Sequence, residues 1–519
     1  MGTTLSYPGV YIEELSSGQH TITGVATSIA AFIGWANQGP VGEAVMVESW
    51  SQYQATFGGM IPGVYLGYSV YQFFLNGGSQ AYIVRLAWSD AVAASNSIGG
   101  LQLYANSPGQ WANSLGVLIS NVNSTAKTFN LQVVKMNGTQ VQVLESYTNL
   151  SIVATSAQYA VTVINSDSSY ITFTSPSGVT PTSITLPTAT ATAVTLNGGT
   201  STTTGNDGTP LNPGDGNFEQ ALTGVAGYTG LLGYQALSSV PIFNLLCVPG
   251  ETGATVIGNL QEFCSQYRAF LIVDSAQTAV VGTGSTGLSK TGPADSTGAS
   301  LVDQYANNSA FYFPWVLAPD PQVGFRPALF PPCGFVAGIY ASTDADRGVW
   351  KAPAGVNSGL TGALGLQYNL TDQQTGLLNP LGINCLRQFP TYGNVVWGAR
   401  TIDGADAIGS QWKYVPIRRL ALFLESSLYV GTQWAVFEPN AEPLWSQVRL
   451  SIGSFMQGLF LQGAFVGTTP AQAYFVKCDG ENNPGSSVAL GVLNILVGFA
   501  PLYPAEFVVI QIQQLINQS

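Results

Sequence analysis

The residues that could do chemistry are few in this sequence, and they are poorly spaced for it. One histidine, His20, lies in a polar stretch behind Ser16-Ser17-Gly18-Gln19. A Ser-His-Asp triad needs a histidine oriented by a packed core, and a multi-histidine metal site needs several. Neither is expected, and His20 reads as a solvated loop residue. The stretch Gly282-Thr283-Gly284-Ser285-Thr286-Gly287 has the glycine spacing of a dinucleotide-binding turn and follows an apolar segment ending at Asp274. In such sites the pyrophosphate rests on the N-terminus of the next helix, yet Leu288 to Ser300 is Gly, Pro, Ser and Thr in loop proportions. A flexible loop is expected there. The alternating carboxylates of Ser342-Thr343-Asp344-Ala345-Asp346-Arg347 suggest a charged turn with a local Asp–Arg pair, because the glycine and terminal glutamate of a calcium loop are missing. No catalytic residue, metal site or cofactor is therefore expected. A nucleotide-binding enzyme using residues 282–287 is the rival reading, which nucleotide retained by the purified protein would reveal.

The five cysteines, Cys247, Cys264, Cys333, Cys385 and Cys478, are widely separated, odd in number and set in apolar contexts such as Leu245-Leu246-Cys247-Val248. They read as buried thiols rather than disulfides or metal ligands. The first residues lack the basic start and apolar run of a signal peptide. The longest apolar run, Leu490 to Tyr503, is broken by Asn494 and Pro501 and falls short of the roughly 20 residues a spanning helix needs. Synthesis in the cytoplasm without membrane insertion is expected, with any release by lysis or within a particle. A surface adhesin, a third reading, would need the missing secretion signal.

Composition points toward assembly. Hydrophobic residues make up 46% of the chain and charged residues only 8%, so copies of its surface repel one another weakly. The net charge of −12, with 15 basic residues, argues against nucleic acid as a partner. Nine of those basic residues fall between Arg347 and Lys477, which makes the C-terminal third the one region suited to an acidic partner.

At 519 residues the chain is long enough for more than one core. Ser28 to Gly34 reads as a strand, Gly39-Pro40 as a turn, Tyr65 to Leu75 as a helix closed by Asn76-Gly77-Gly78, and Ala81 to Leu86 as a strand. From about Trp88 to Asp215 the chain turns Thr-, Ser-, Val- and Gly-rich with period-two alternation, as in Asn130 to Val134 and Val141 to Leu144. This predicts an inserted all-β domain closed by the linker Gly198 to Asp215. After Asn217 an α/β pattern begins: strand Ile242 to Val248, a helix near Ala254 to Tyr267 and strand Ala269 to Asp274, the signature of β-α-β units on a buried sheet. Leu444, Trp445, Val448, Ile452, Phe455, Met456 and Leu459 recur at helical spacing and predict one long amphipathic helix.

Both ends are strand-like: Val10-Tyr11-Ile12-Glu13-Glu14-Leu15 near the start, and Phe507-Val508-Val509-Ile510-Gln511-Ile512-Gln513-Gln514 near the finish. Unpaired strands adhere to other strands. Donation to a neighbouring subunit's sheet and pairing within their own domain both satisfy the pattern.

Two blocks resemble the contractile tail sheath proteins of myophages and phage-tail-like particles. The first runs from Tyr7-Pro8-Gly9-Val10-Tyr11-Ile12-Glu13-Glu14 through Ile22 to Ser28, Gly39-Pro40 and Phe73 to Gly78, ending at Tyr82-Ile83-Val84-Arg85. The second spans Asp346-Arg347-Gly348-Val349-Trp350, Val396-Trp397-Gly398-Ala399-Arg400-Thr401, Trp412 to Arg419 and Trp434 to Asn440, ending at Pro504-Ala505-Glu506-Phe507. Departures are local: Ala112 of Trp111-Ala112-Asn113 and Thr391 stand where many relatives have glycine.

The resemblance implies an α+β multidomain protein. Its expected parts are an N-terminal linking arm (1–20), the N-terminal part of the core (21–87), an inserted β-rich outer domain (88–216), an α/β core with the C-terminal sheath domain (217–504) and a C-terminal linking arm (505–519). It further implies hexameric rings stacked helically around an inner tube, contacts with baseplate and terminator or cap proteins, and contraction that drives the tube through an envelope. Val10, Tyr11, Ile12, Glu13 and Glu14, with Phe507, Val508, Val509, Ile510, Gln511 and Ile512, would then join neighbouring subunits. Lys413 and Arg449 are candidates for facing the tube; pairing with acids inside their own domain is the alternative. The short Ser17 to Gly24 junction resembles sheaths of headless injection systems more than those of large phages, with a myophage virion as the alternative source.

Overall fold

The computed structural model describes residues 20–138, 140–197, 203–224 and 233–511. The chain divides into two compact units, one of residues 26–418 and one formed by 1–25 together with 419–519. Helices and several separate sheets are mixed throughout.

The first unit is built on an eight-stranded sheet in the order Gly393–Val396, Ile383–Phe389, Ser309–Phe313, Phe270–Asp274, Leu245–Cys247, Ala30–Trp35, Ala81–Leu86, Ala44–Val47. The six inner strands are parallel, and the two outer strands run antiparallel to their neighbours. Parallel strands are covered on both faces, which explains their near-continuous apolar composition. Alternate residues divide between the faces. Leu271, Val273, Phe311 and Phe313 join Val256, Leu260 and Phe263 of the helix Ala254–Tyr267 in one cluster. On the other face the Phe32 ring meets Phe73 of the helix Tyr65–Leu75, and Tyr312 shares a hydroxyl hydrogen bond of 2.7 Å with Tyr340 of the helix Cys333–Arg347.

Those last two helices approach closely because one presents glycines. A Cβ on Gly334 would lie 2.4 Å from the Ser69 carbonyl oxygen, and one on Gly338 would lie 2.5 Å from Asn76 Cβ. Asp344, Asp346 and Arg347, expected in a turn, belong to the end of this helix. Its buried first turns supply the support that local propensity lacks.

Residues between the third and fourth strands of the chain order in this sheet form a separate hydrophobic cluster, from Ala94 to Leu196. It is wrapped by a sheet of Val194–Thr195, Leu115–Asn123, Thr128–Asn137 and Gln140–Ser151 and by a smaller one of Ser95–Ile98, Leu101–Ala105 and Ile171–Thr172. The region is not all-β as expected: a helix Ala160–Asp167 buries Ala160, Val161 and Ile164, whose spacing matches one helical face. The wholly buried Arg85 guanidinium ties this region to the large sheet, donating to the carbonyls of Ala36 and Gly39 at 2.7 Å each and of Pro108 at 2.9 Å.

The second unit holds the helix Glu442–Leu461, with Leu444, Val448, Ile452, Met456 and Leu459 buried along one face, and a two-stranded sheet. The helix Val415–Gly431 contributes residues to both units.

Candidate assembly surface

The two-stranded sheet pairs Tyr474–Lys477 with Leu496–Phe499, antiparallel. Asparagines shape the connection between the strands: Asn482 and Asn494 side-chain amides donate to each other's main-chain carbonyls at 2.9 and 3.1 Å, and the Asn494 N–H donates to Asn483 Oδ1 at 2.6 Å. The sheet is seated on the long helix, where the Tyr474 hydroxyl donates to Gln457 Oε1 at 2.9 Å and Phe465 packs near both Tyr474 and Phe499. Phe475 and Leu496 remain half exposed. Among the described residues no further strand pairs with either outer edge. So small a ribbon is marginal by itself, and its free edges are templates for another strand.

A candidate strand lies in the same unit. Phe507, Val508, Val509 and Ile510 are 75–82% exposed and, with Gln511, form no strand. Among the described residues these five pair with no strand. Ile512 lies outside the described residues, as do Val10, Tyr11, Ile12, Glu13 and Glu14. At the other end, Ile22 packs under Gly431, where a Cβ would come within 2.6 Å of it, and the Val25 N–H donates to Ser427 Oγ at 3.2 Å. His20, expected to be solvated, is exposed but stacks on Trp434 with ring centroids 3.9 Å apart.

The two candidate tube-facing cations each have a partner at hand. Lys413 Nζ donates to Asp406 Oδ1 at 2.6 Å, and Arg400 reaches the same oxygen at 3.0 Å. The Lys413 hydrogen bond, with Arg400 adding its charge, holds the Asp406 carboxyl below its usual range. Arg449 pairs with Glu442 Oε1 at 2.5 Å and also donates to the Cys478 carbonyl. Both side chains keep part of their surface in solvent. Sequence reasoning missed Phe437, which is fully exposed in the left-handed region at φ +69°. A bulky residue rarely adopts that conformation, and only coordinates reveal it.

The glycine-rich loop is closed on itself. The Gly287 N–H donates to the Gly284 carbonyl at 3.0 Å, that of Leu288 to Val280 at 3.1 Å, and Ser289 Oγ to the Gly282 carbonyl at 2.7 Å. A helix does follow the loop, contrary to expectation, but it has four residues, Leu288–Thr291. Its short length and the internal use of these amides leave no phosphate cradle of the dinucleotide type. Among the described residues no three ligating side chains cluster for a metal, and no helix is long and apolar enough to cross a membrane. All five cysteines are unpaired and buried, as their contexts predict.

The chain thus combines a large, mainly parallel sheet, an inserted region with a hydrophobic cluster of its own, and a second compact unit. Residues 231–402, which include the strands from Leu245–Cys247 to Ile383–Phe389, match the family described as phage tail sheath protein central domain. The chain is similar to that family over about a third of its length. It is 29% identical over 159 residues to the tail sheath protein of Vibrio phage KVP40, and 27% identical over 180 residues to a prophage major tail sheath protein of Pseudomonas aeruginosa strain UCBPP-PA14. These matches take in 30% and 34% of this chain but 22% and 44% of the relatives, less than half the length of either. The fold likeness is longer. The PVC sheath complex of an extracellular contractile injection system, in its contracted state, superposes with a TM-score of 0.58 at 22% identity and full coverage of both chains.

Proposed function

We propose that this chain is the structural sheath subunit of a phage-tail-like contractile injection system, polymerising as a helical stack of hexameric rings around an inner tube and contracting to drive the tube through a target envelope. The observation that carries the reading is the end-to-end fold likeness to a contracted sheath, combined with the sheath central domain at 231–402. In this reading the arms, residues 1–20 and 505–519, place Val10 to Glu14 and Phe507 to Ile512 against the open edges of a neighbour's Tyr474–Lys477 and Leu496–Phe499 sheet. Main-chain hydrogen bonds would keep the lattice connected while subunits rotate. The core (21–87 with 217–504) carries the rings, the insertion (88–216) faces outward, and Lys413 and Arg449 face the tube. Baseplate and terminator proteins close the ends. The particle is made in the bacterial cytoplasm and released by lysis. Contraction needs two packings of one subunit that differ by a few kcal/mol, which many copies add together without nucleotide.

The similarity to a Vibrio phage tail sheath protein favours a second reading, a sheath within a phage virion. Negative-stain electron microscopy tests the assembly claim: the intact chain, expressed with the inner tube and baseplate, should form sheathed tubes, and a chain lacking Phe507 to Ser519 should give dispersed subunits. If both stay monomeric, the sheath reading fails. Particles with heads attached to the sheathed tubes would select the virion.

A further inference from the structure

A cavity of about 490 Å³ opens within the first unit, where the inserted region meets the loop after Ala30–Trp35 and the end of the helix Trp50–Phe57. Its size falls within the roughly 300–1,000 Å³ of small-ligand sites. Three glutamines on three elements, Gln54, Gln110 and Gln142, contribute to its lining. Their side-chain amides take no hydrogen bond from the described chain, so each offers an acceptor and two donors. Trp111 and Tyr170, both partly buried, also belong to the lining, which is mainly polar. The wall also holds two buried polar atoms without partners, Asn37 Oδ1 and Trp111 Nε1.

Backbone irregularities build this wall. Gly58 sits at φ +89°, and a Cβ there would come within 2.2 Å of Asn37 Oδ1, so glycine is what admits Asn37. Across the cavity, pairing steps from Val133 with Glu145 to Val134 with Val143, which leaves Leu144 as the extra residue of a β-bulge. Bulges bend a strand and re-aim its side chains. Leu144 and Gln142 both reach the lining.

The lining selects a ligand class by what it contains. Although the chain carries −12 net charge, no carboxylate lines the cavity, which disfavours a cation. One basic group, Lys135, is too little for a polyphosphate or nucleic acid strand. Amides that donate and accept side by side match the vicinal hydroxyls of a sugar, and a mainly polar lining without carboxylates suits a neutral polyol ring. We propose that this cavity is a binding site for a neutral saccharide. The proposal does not depend on the sheath reading, since it concerns a single chain.

The test uses the purified full-length chain with glucose, galactose, mannose, N-acetylglucosamine and their β-linked disaccharides, read by saturation-transfer NMR and tryptophan fluorescence. At least one sugar should show transfer to its ring protons, with affinity about tenfold weaker or worse in Gln54→Ala and Gln142→Ala. Both glutamines are exposed, so the variants should keep the circular dichroism of the unaltered chain. Absence of transfer from every sugar would overturn the proposal. So would transfer undiminished in the double variant, because the sugar would then sit elsewhere. Binding confined to uronate-bearing saccharides and lost in Lys135→Gln would overturn the neutral class.

Discussion

Asp274 Oδ1 accepts the backbone N–H of Cys333 at 2.7 Å, joining the end of a central strand to the first turn of the helix Cys333–Arg347. Its second oxygen accepts the Gly250 N–H at 3.0 Å. No cation pairs with this carboxylate among the described residues, and the residue is 1% exposed. Burial outweighs the hydrogen bonds and pushes its pKa up to about 6.

A pH dependence follows with a definite sign. The folded-state pKa of about 6 lies above the ordinary value of 3.8, so the folded chain holds this proton more tightly than the unfolded chain. The stability from Asp274 is complete below the ordinary value and is lost as pH rises through about 6, a change of roughly 3 kcal/mol. Urea unfolding of the unaltered chain and of Asp274→Asn, at about pH 4 and about pH 7.5, isolates this contribution from the other carboxylates. The stability of the unaltered chain relative to the variant should fall between the two conditions; a constant difference would contradict the assignment.

Gly338→Ala should destabilise the first unit by about 1–3 kcal/mol, because the added methyl would meet Asn76 Cβ at 2.5 Å and the Phe73 carbonyl oxygen at 2.8 Å. Gly376→Ala supplies the contrast. It lies in the helix Asp372–Leu378 with nothing within 4 Å of the new methyl, and should be neutral or stabilising by up to about 1 kcal/mol. Thermal unfolding midpoints that moved together in the two variants would show that helix contact is not the cause.

Lys413→Met and Arg449→Met should each change the stability of the isolated chain by about 1 kcal/mol or less, since both ion pairs are partly solvated. Asp406 keeps Arg400 when Lys413 is removed. Under the proposed function the same variants should recover fewer sheathed tubes when the inner tube is supplied. Normal tube yield, measured by sedimentation and microscopy, would remove these two residues from the tube-facing surface.

Burial drives the thiols of Cys264 and Cys333 well up, and that of Cys385 to about 12. Iodoacetamide at neutral pH should therefore modify none of the five cysteines of the native chain and all five in guanidinium, as counted by intact mass. Rapid native labelling of any of them would mean that a covering element opens.

Much of the core was legible in the sequence because local preference and tertiary position agree there. Tyr65–Leu75, Ala81–Leu86 and Ala254–Tyr267 form as their periodicity and stop signals predict. The helix Cys333–Arg347 was not legible. It is buried for most of its length, so it shows no amphipathic stripe, and Gly334 and Gly338 have low helix propensity although they permit close packing against Ser69 and Phe73. Ile242 to Val248 reads as a seven-residue strand but forms one only at Leu245–Cys247. Asn244 just before it still bonds both neighbours through its backbone, donating to the Ile29 carbonyl and accepting the Phe270 N–H at 2.8 Å each, while its side chain accepts the Ile29 N–H at 3.0 Å. Phe507 to Ile510 are apolar in the manner of a strand and form none, because a strand requires a partner and none of the described residues pairs with them. The polar cavity was invisible for a similar reason, since Gln54, Gln110 and Gln142 belong to separate stretches with no common motif.

The seam between Ala30–Trp35 and Leu245–Cys247 has a consequence for the order in which the molecule is made. Ala30 pairs with Leu245, so a loop on the order of 200 residues must close before the first strand gains its second neighbour. During synthesis that strand emerges early and waits, apolar on both faces, until the ribosome has delivered the rest. The insertion shortens the wait in effective length. With a core of its own it can collapse first and draw the ends of the loop together, lowering the closure cost by about 1 kcal/mol. The inserted region of the finished protein would thus act, while the chain is being translated, as a scaffold for the sheet that later carries it.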